Sequence, residues 1–513
     1  MKYDAIVMGA GHNGLIAASY LAKAGKSVLM LEAADEIGGA TASVRAFKEY
    51  DAMLSRYSYL VALLPDQIVS DLGLNFETLS RKVSSFTPYV KDGKELGLHI
   101  SRIWDKETEE SFKELTGSDR EGKQWQDFYS DVEIFAQKMA PTFLQPLLTR
   151  SEMKAHIGEN ETWEYLVEKP MSEIIKSKFS NDLVRGVVLT DALIGTFVSA
   201  ESIQSNICFL YHLMGNGTGE WRVPRGGMGA LVKELERVAT SLGVQIKTSS
   251  EVTQISSDSS GVTVQTISGQ SYEAEYLLSN AAPAHLDRIL GKKTQDSLSG
   301  SQLKINMLLK ALPRLKSGAD PKKAFSGTFH INESYEQLQR AFAMAAAGEM
   351  PEPLPAEIYC HSLTDPSILS PELQAQGVHT LTLFALHTPH DLFSREVNPY
   401  TREDAKAAVL RTLNSVLAEP IEDCLYRDEQ GNICMEVNTT VDIENSLGIA
   451  TGNIFHTPLD WPWAKTSEEV GSWGVETGHP RVLFCGSGAA RGGGVSGIPG
   501  HNAARAVMSV SVK

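Results

Sequence analysis

The chain opens on Tyr3-Asp4-Ala5-Ile6-Val7-Met8-Gly9-Ala10-Gly11-His12-Asn13-Gly14, and Glu32 follows 23 residues after Gly9. This reads as a short apolar strand, a G-x-G-x-x-G turn, a helix of small residues over 15–24, a second strand over 27–31 and a terminal acid. Gly9 permits the tight turn, Gly11 lets the backbone approach a pyrophosphate, and Gly14 lets helix and strand pack closely. His12 and Asn13 are the polar side chains of the turn, where such groups brace the loop or touch the ligand. The helix N-terminus turns free N–H groups and partial positive charge towards phosphate. Glu32 can accept both hydroxyls of an adenosine ribose, and its charge would repel a 2′-phosphate. A chain with these parts in register is expected to build a parallel βαβ unit around an adenine dinucleotide.

Two later features point to which dinucleotide. Glu32 and Ala33 lead into Gly38-Gly39, a glycine pair that lets a loop pass close to the cofactor, as FAD proteins require. Near the far end, Val482-Leu483-Phe484-Cys485-Gly486 reads as a buried strand entering a glycine turn. Arg491, Gly494, Val495 and Gly497 follow, then an alanine-rich helix over 502–507. That places a second glycine-rich helix N-terminus where it can meet a flavin ring or its ribityl chain. Arg491 could stabilise negative charge on a reduced flavin or contact phosphate. No second complete G-x-G-x-x-G unit for a nicotinamide nucleotide is apparent.

On these residues the chain resembles the phytoene desaturase-like FAD-dependent oxidoreductases, within the amine oxidase-like flavoprotein superfamily. The likeness extends to Pro224-Arg225-Gly226-Gly227-Met228-Gly229, to Glu251-Val252 and to Ser279-Asn280-Ala281-Ala282-Pro283. It implies that the backbone at Val252 meets the adenine and that the segment at Asn280 leaves the sheet towards the flavin. The His-Asn pair in the first turn is more like the phytoene dehydrogenase-related members than the carotenoid desaturases. Two departures stand out. Ala490-Arg491 replaces a His-Pro common before the final glycine run, and Cys485-Gly486-Ser487 stands where amine oxidases carry Ala-Gly-Glu.

The cofactor motifs fall at about 6–40, 224–283 and 482–507, so the implied fold class is α/β: a Rossmann-like FAD-binding domain assembled from discontinuous segments, interleaved with an α+β substrate domain. The expected division gives 1–60, 221–300 and 441–513 to the first, and 61–220 and 301–440 to the second. In the middle segment a helix is expected over 230–242, then strands over 244–247, 252–256, 262–266 and 276–278, with a hairpin loop over 256–261. Trp125, Phe128, Val132, Phe135 and Met139 recur at helical spacing. They form either a core-facing helix, a wall of an apolar cavity, or a lip on a membrane surface. The apolar stretch 203–214 carries the same alternatives.

Composition narrows the partners. With 47 basic against 63 acidic residues the net charge is −16, which argues against nucleic acid and against an electrostatic grip on anionic lipid. The five cysteines are scattered without a C-x-x-C, so no metal site, redox dithiol or disulfide framework is expected, and Cys485 reads as a small buried residue. No run of about 18 apolar residues is present. Met1-Lys2 leads straight into the first strand, so the expected location is the cytoplasm, with peripheral membrane contact left open. The oligomeric state is likewise open.

No triad, H-E-x-x-H or pair of acids at diagnostic spacing declares a catalytic residue. The candidates are His456, for proton transfer or substrate orientation, and Arg56 and Tyr57, which are expected near the flavin edge. Trp461, Trp463 and Trp473 could supply aromatic walls, although aromatics in a Pro-rich loop more often pack at the surface. The expected activity is FAD-dependent oxidation or desaturation of an apolar, isoprenoid-like small molecule. Its hydride passes to flavin N5, and oxygen, a quinone or another acceptor reoxidises the flavin. The alternatives are a flavin amine oxidase and a flavoprotein whose role is assembly or interaction.

Overall fold

The computed structural model describes residues 2–293 and 298–510. Met1, 294–297 and 511–513, which fall within the expected FAD-domain segments, lie outside the described residues.

The opening motif forms as its parts require. Strand Lys2–Met8 pairs in parallel with Val28–Leu31 on one side and with Ser271–Ser279 on the other. Gln245–Lys247 extends this sheet beyond Val28–Leu31, and Val482–Phe484 pairs in parallel with the end of Ser271–Ser279. Side chains alternate across a strand, and here both faces are covered. Ala5, Val7, Val28, Met30 and Leu278 enter one core. Ile6, Met8, Leu29, Leu31 and Leu277 enter another. The first core is closed by three helices, His12–Lys23, Met228–Ser241 and Ile498–Val510, through Leu15, Leu21, Leu231, Leu235, Ala504 and Val507.

The differences from expectation are local. The first helix starts at His12 because Gly11 already has the extended backbone of an N-cap. The last begins at Ile498, since Pro499 in its first turn needs no N–H partner. The strand expected over 276–278 runs from Ser271, because its polar half pairs antiparallel with Gly261–Thr266. The loop expected over 256–261 shrinks to a tight turn in which Asp258 accepts from Ser260 N at 2.7 Å.

A second sheet of seven strands runs in the spatial order 435–438, 303–309, 379–385, 356–359, 328–331, 83–91 and 94–101. Its pairs are antiparallel except 328–331 with 83–91. One face packs Ile305, Phe329, Ile358 and Leu383 against helix Arg402–Val416. The other face carries a cross-strand row of Lys304, Phe384, Glu357 and His330.

Helices between 106 and 213 form a third core. Phe128, Val132, Phe135 and Met139, on helix Arg120–Met139, are buried in it, so that stripe is core. No described helix is long and apolar enough to cross a membrane. All five cysteines are free and buried.

Candidate active site

A cavity of about 520 Å³, an ordinary size for a ligand site, runs from the opening turn to the second sheet. Its walls show why the glycines stand where they do. Gly9 holds φ at +98° to make the turn. A Cβ on Gly11 would lie 2.8 Å from Asn280 Nδ2, so a side chain there would push aside the amide that braces the turn. Asn280 Nδ2 donates to Gly9 O at 3.3 Å and braces the turn from the sheet side. Gly38 N donates to Ala10 O at 3.0 Å, so the Gly38-Gly39 loop is tied directly to the phosphate turn.

Glu32 is fixed by two backbone donors. Its Oε2 accepts from Ala10 N at 2.6 Å and its Oε1 from Ala34 N at 2.9 Å. Each oxygen keeps a lone pair for a sugar hydroxyl. Helix His12–Lys23 has no side-chain cap at its N-terminus, leaving its first N–H groups to a ligand. Asn13 Oδ1 is buried with no partner, and Asn13 Nδ2 reaches Ser487 Oγ at 3.4 Å. A glycine-rich turn, an uncapped helix N-terminus, an orphaned buried amide oxygen and a pre-set carboxylate fit an adenine dinucleotide.

The structure brings most of the expected residues to this cavity. Gly9, Gly11, His12, Asn13, Glu32, Ala33, Gly38, Gly39, Val252, Asn280, Gly494 and Val495 line it, as do Arg56, Tyr57 and His456. Gly14, Gly486 and Gly497 act behind it by close packing. A Cβ on Gly14 would meet Gly9 O at 2.3 Å, one on Gly486 would meet Asn280 O at 2.7 Å, and one on Gly497 would meet Ile16 Cδ1 at 2.5 Å.

Arg491 is corrected. Its backbone is left-handed, φ +60°, and its guanidinium is buried off the cavity. Nη1 donates to Thr142 O at 3.1 Å and to Gln145 O at 2.5 Å, and Nη2 to Trp473 O at 2.7 Å. It ties three stretches of chain together and does not line the cavity. The three tryptophans do not line the cavity either. Trp461 stacks on Trp463 at 4.8 Å and Trp463 on Trp163 at 5.6 Å, while Trp473 packs edge-on against His501.

The aromatic wall comes from residues that carried no local signal. Tyr59 lies 4.3 Å from Phe384 and 6.0 Å from Trp221 between ring centroids, and Trp221 stacks on His212 at 5.2 Å. Tyr211 and His212 line the cavity, so the apolar stretch 203–214 does supply part of its wall. Behind Phe384, the buried Lys304 donates to Ser55 O at 3.0 Å and Asn306 Oδ1 at 2.8 Å, and burial lowers its amine to about 7. A lysine inside Leu303–Leu309 was the one hint of it in the sequence.

Burial holds several imidazoles of the wall neutral, and Arg56 and Tyr57 are engaged. Burial lowers His456 to about 4, and lowers His12 to about 4 with help from the neighbouring His456. His12 Nδ1 pairs with Thr41 Oγ1 at 3.0 Å, whereas His456 Nδ1 is buried without a partner. Arg56 reaches Glu36 at 3.5 Å, and the Tyr57 hydroxyl pairs with Ser446 Oγ at 2.5 Å. The carboxylates lining the cavity are those of Glu32, Glu36 and Glu251.

A family model described as flavin containing amine oxidoreductase matches residues 14–507. The chain is 44% identical to an uncharacterized protein of Mycobacterium tuberculosis over 99% of this chain and 97% of that one. It is 26% identical to the carotenoid 3,4-desaturase of Haloarcula japonica, over 56% of this chain and 57% of that protein. With flavin-containing amine oxidase B of Rattus norvegicus the identity is 26%, over 64% and 60%. Its fold is like that of cyclohexylamine oxidase from Brevibacterium oxydans, with TM-score 0.59 and 15% identity over 100% of both chains.

Proposed function

The chain belongs to the family of flavin-containing amine oxidoreductases with FAD as its cofactor, and from that premise we propose that it oxidises an uncharged, apolar substrate at a C–H bond. One observation carries the reading: the carboxylates of the cavity wall, Glu32, Glu36 and Glu251, belong to the nucleotide turn, its loop and the meander beside Val252. The rest of the described wall is largely aliphatic and aromatic, with neutral imidazoles. A protonated amine buried there would lack a counter-charge, which costs several kcal/mol, whereas a hydrocarbon chain would lose nothing.

When bound, FAD supplies the two-electron acceptor. The chain supplies position and dryness. The turn 9–14, Gly38 and Glu32 hold the dinucleotide, braced by Asn280. Leu60, Leu63, Ile194, Ile449, Ile454 and Phe455 hold the substrate and exclude water. We assign His456 Nδ1, unpartnered among the described residues, to take a proton where the substrate releases one. Arg56 and Tyr57, occupied by Glu36 and Ser446, form part of the rim.

A second reading rests on Tyr59, Trp221 and Phe384, whose ring faces could hold a cation. The test is anaerobic bleaching of the flavin band by a panel of polyprenyl hydrocarbons, apolar alcohols and amines. Bleaching by hydrocarbons or neutral alcohols supports the proposal. Bleaching by amines alone moves the assignment to an amine oxidase. Reduction by dithionite and by no donor supports a non-catalytic role.

A further inference from the structure

The second sheet buries a set of donor atoms that the FAD cavity does not use. His330 and Glu357 lie directly opposite each other on neighbouring strands, so their side chains leave the same face of the sheet. After His330 the chain turns sharply at Asn332, φ +57°, and brings Glu333 back beneath the imidazole. Glu333 Oε2 then sits 2.6 Å from His330 Nδ1, and Glu357 Oε1 sits 3.9 Å from the same nitrogen. All three residues are buried, Glu333 completely. The three ligand atoms lie within 4.8 Å of one another.

A further observation points to a missing cation: among the described residues, Glu333 Oε1 is buried with no hydrogen-bond partner, an expensive state for a carboxylate oxygen. Glu357 is already oriented for a ligand role, because the Tyr359 hydroxyl donates to its other oxygen.

We propose that His330, Glu333 and Glu357 form a binding site for one divalent transition cation, Zn²⁺ or Mn²⁺, held by His330 Nδ1 and one oxygen from each glutamate. Two carboxylates and a neutral imidazole balance a doubly charged ion. A nitrogen donor among oxygens suits zinc or manganese better than calcium or magnesium, and the absence of thiolate from the set disfavours copper(I). An ion about 2.1 Å from each ligand needs donor atoms roughly 3–3.5 Å apart. The observed 2.6 and 3.9 Å bracket that spacing. The remaining coordination positions would take water. The ion would also stiffen the active-site wall, since Tyr359 lies 4.6 Å from Tyr59, ring to ring, and Tyr59 lines the cavity.

The test uses FAD-replete full-length protein without an affinity tag, passed through metal-free buffer and titrated with Zn²⁺ or Mn²⁺. Elemental analysis reads zinc, and loss of the free-ion electron paramagnetic resonance signal reads manganese. One ion per chain is expected. Glu333→Gln and Glu357→Gln should each weaken binding at least tenfold while the FAD absorbance stays at the wild-type ratio. The proposal is overturned if wild-type protein, with its full complement of FAD, binds neither ion, a result that needs no variant to fold. It is equally overturned if both variants retain FAD and bind the ion as wild type does. Neither readout depends on which substrate the flavin oxidises.

Discussion

One methyl group placed on Gly14 tests the cradle that holds FAD. An added Cβ would lie 2.3 Å from the carbonyl oxygen of Gly9, and 3.2 Å from both Cβ and Nδ2 of Asn280. Non-bonded heavy atoms settle near 3.5 Å, so the helix has to move off the turn by about 1 Å. The nearest obstacle is backbone, and that backbone is held in place: Gly9 sits at φ +98° and its oxygen accepts from Asn280. Overpacking of this kind costs about 1–3 kcal/mol, which is roughly 5- to 150-fold in an equilibrium constant. Because the displaced helix carries the N–H groups aimed at the pyrophosphate, much of the loss should fall on FAD. Gly14→Ala should therefore purify with a depleted flavin band and rebind FAD at least about fivefold more weakly, read by quenching of flavin fluorescence as FAD is titrated into apoprotein. Gly25→Asn, at a turn with nothing within 4 Å of its Cβ, serves as control and should keep its flavin. If Gly14→Ala binds FAD as wild type does, Gly14 is not packed against the cofactor turn as described.

Four other perturbations probe separate parts of the molecule. Glu32→Gln removes a charge-assisted bond from the turn at a cost of about 1.5–3 kcal/mol, so the same titration should show FAD binding weakened roughly ten- to hundredfold. Arg491→Met leaves three main-chain carbonyls unpaired. It should lower the stability read from urea midpoints by at least about 2 kcal/mol while FAD stoichiometry holds well below the transition, whereas weaker FAD at unchanged stability would put the guanidinium on the cofactor. Phe128→Ala, at a side chain 1% exposed, should cost about 3–5 kcal/mol; a near-neutral result would make that helix a lip and not a core. His456, held at about 4 against 6.5 unfolded, binds its proton more weakly in the fold, so its contribution is complete above pH 6.5 and is lost as pH falls towards 4. That loss is about 3 kcal/mol, and His456→Gln should flatten the acid limb of the stability curve by that amount.

How much of this was legible in the sequence depended on whether the signal was local. The strand, turn and helix around Gly9 follow each other within thirty residues, each with its own composition, and they formed with shifts of a few residues at their ends. The second sheet offered no such cue. Leu303–Leu309 alternates apolar and polar residues over 303–307, but it is buried at all seven positions, and its partners 379–385 and 435–438 lie far along the chain. The site divided in the same way. Glycines of the nucleotide turn were readable, but Tyr59, Trp221 and Phe384 reach the cavity from three separate segments. Arg491 stood beside the final glycines and read as a cofactor ligand; in the fold its guanidinium is taken up by three main-chain carbonyls. The i, i+3 spacing of His330 and Glu333 is visible in the sequence, yet Glu357 joins them only through sheet register.

The most direct measurement follows the flavin band anaerobically against a matched pair of donors, one carbon skeleton bearing a neutral hydroxyl or a primary amine, from pH 6 to 10. With no carboxylate in the aliphatic and aromatic part of the wall, the neutral donor should bleach the flavin at a rate that is flat with pH, and the amine should fail while it is protonated. Bleaching by the amine at pH 6, with the alcohol inert throughout, would contradict an uncharged, apolar substrate.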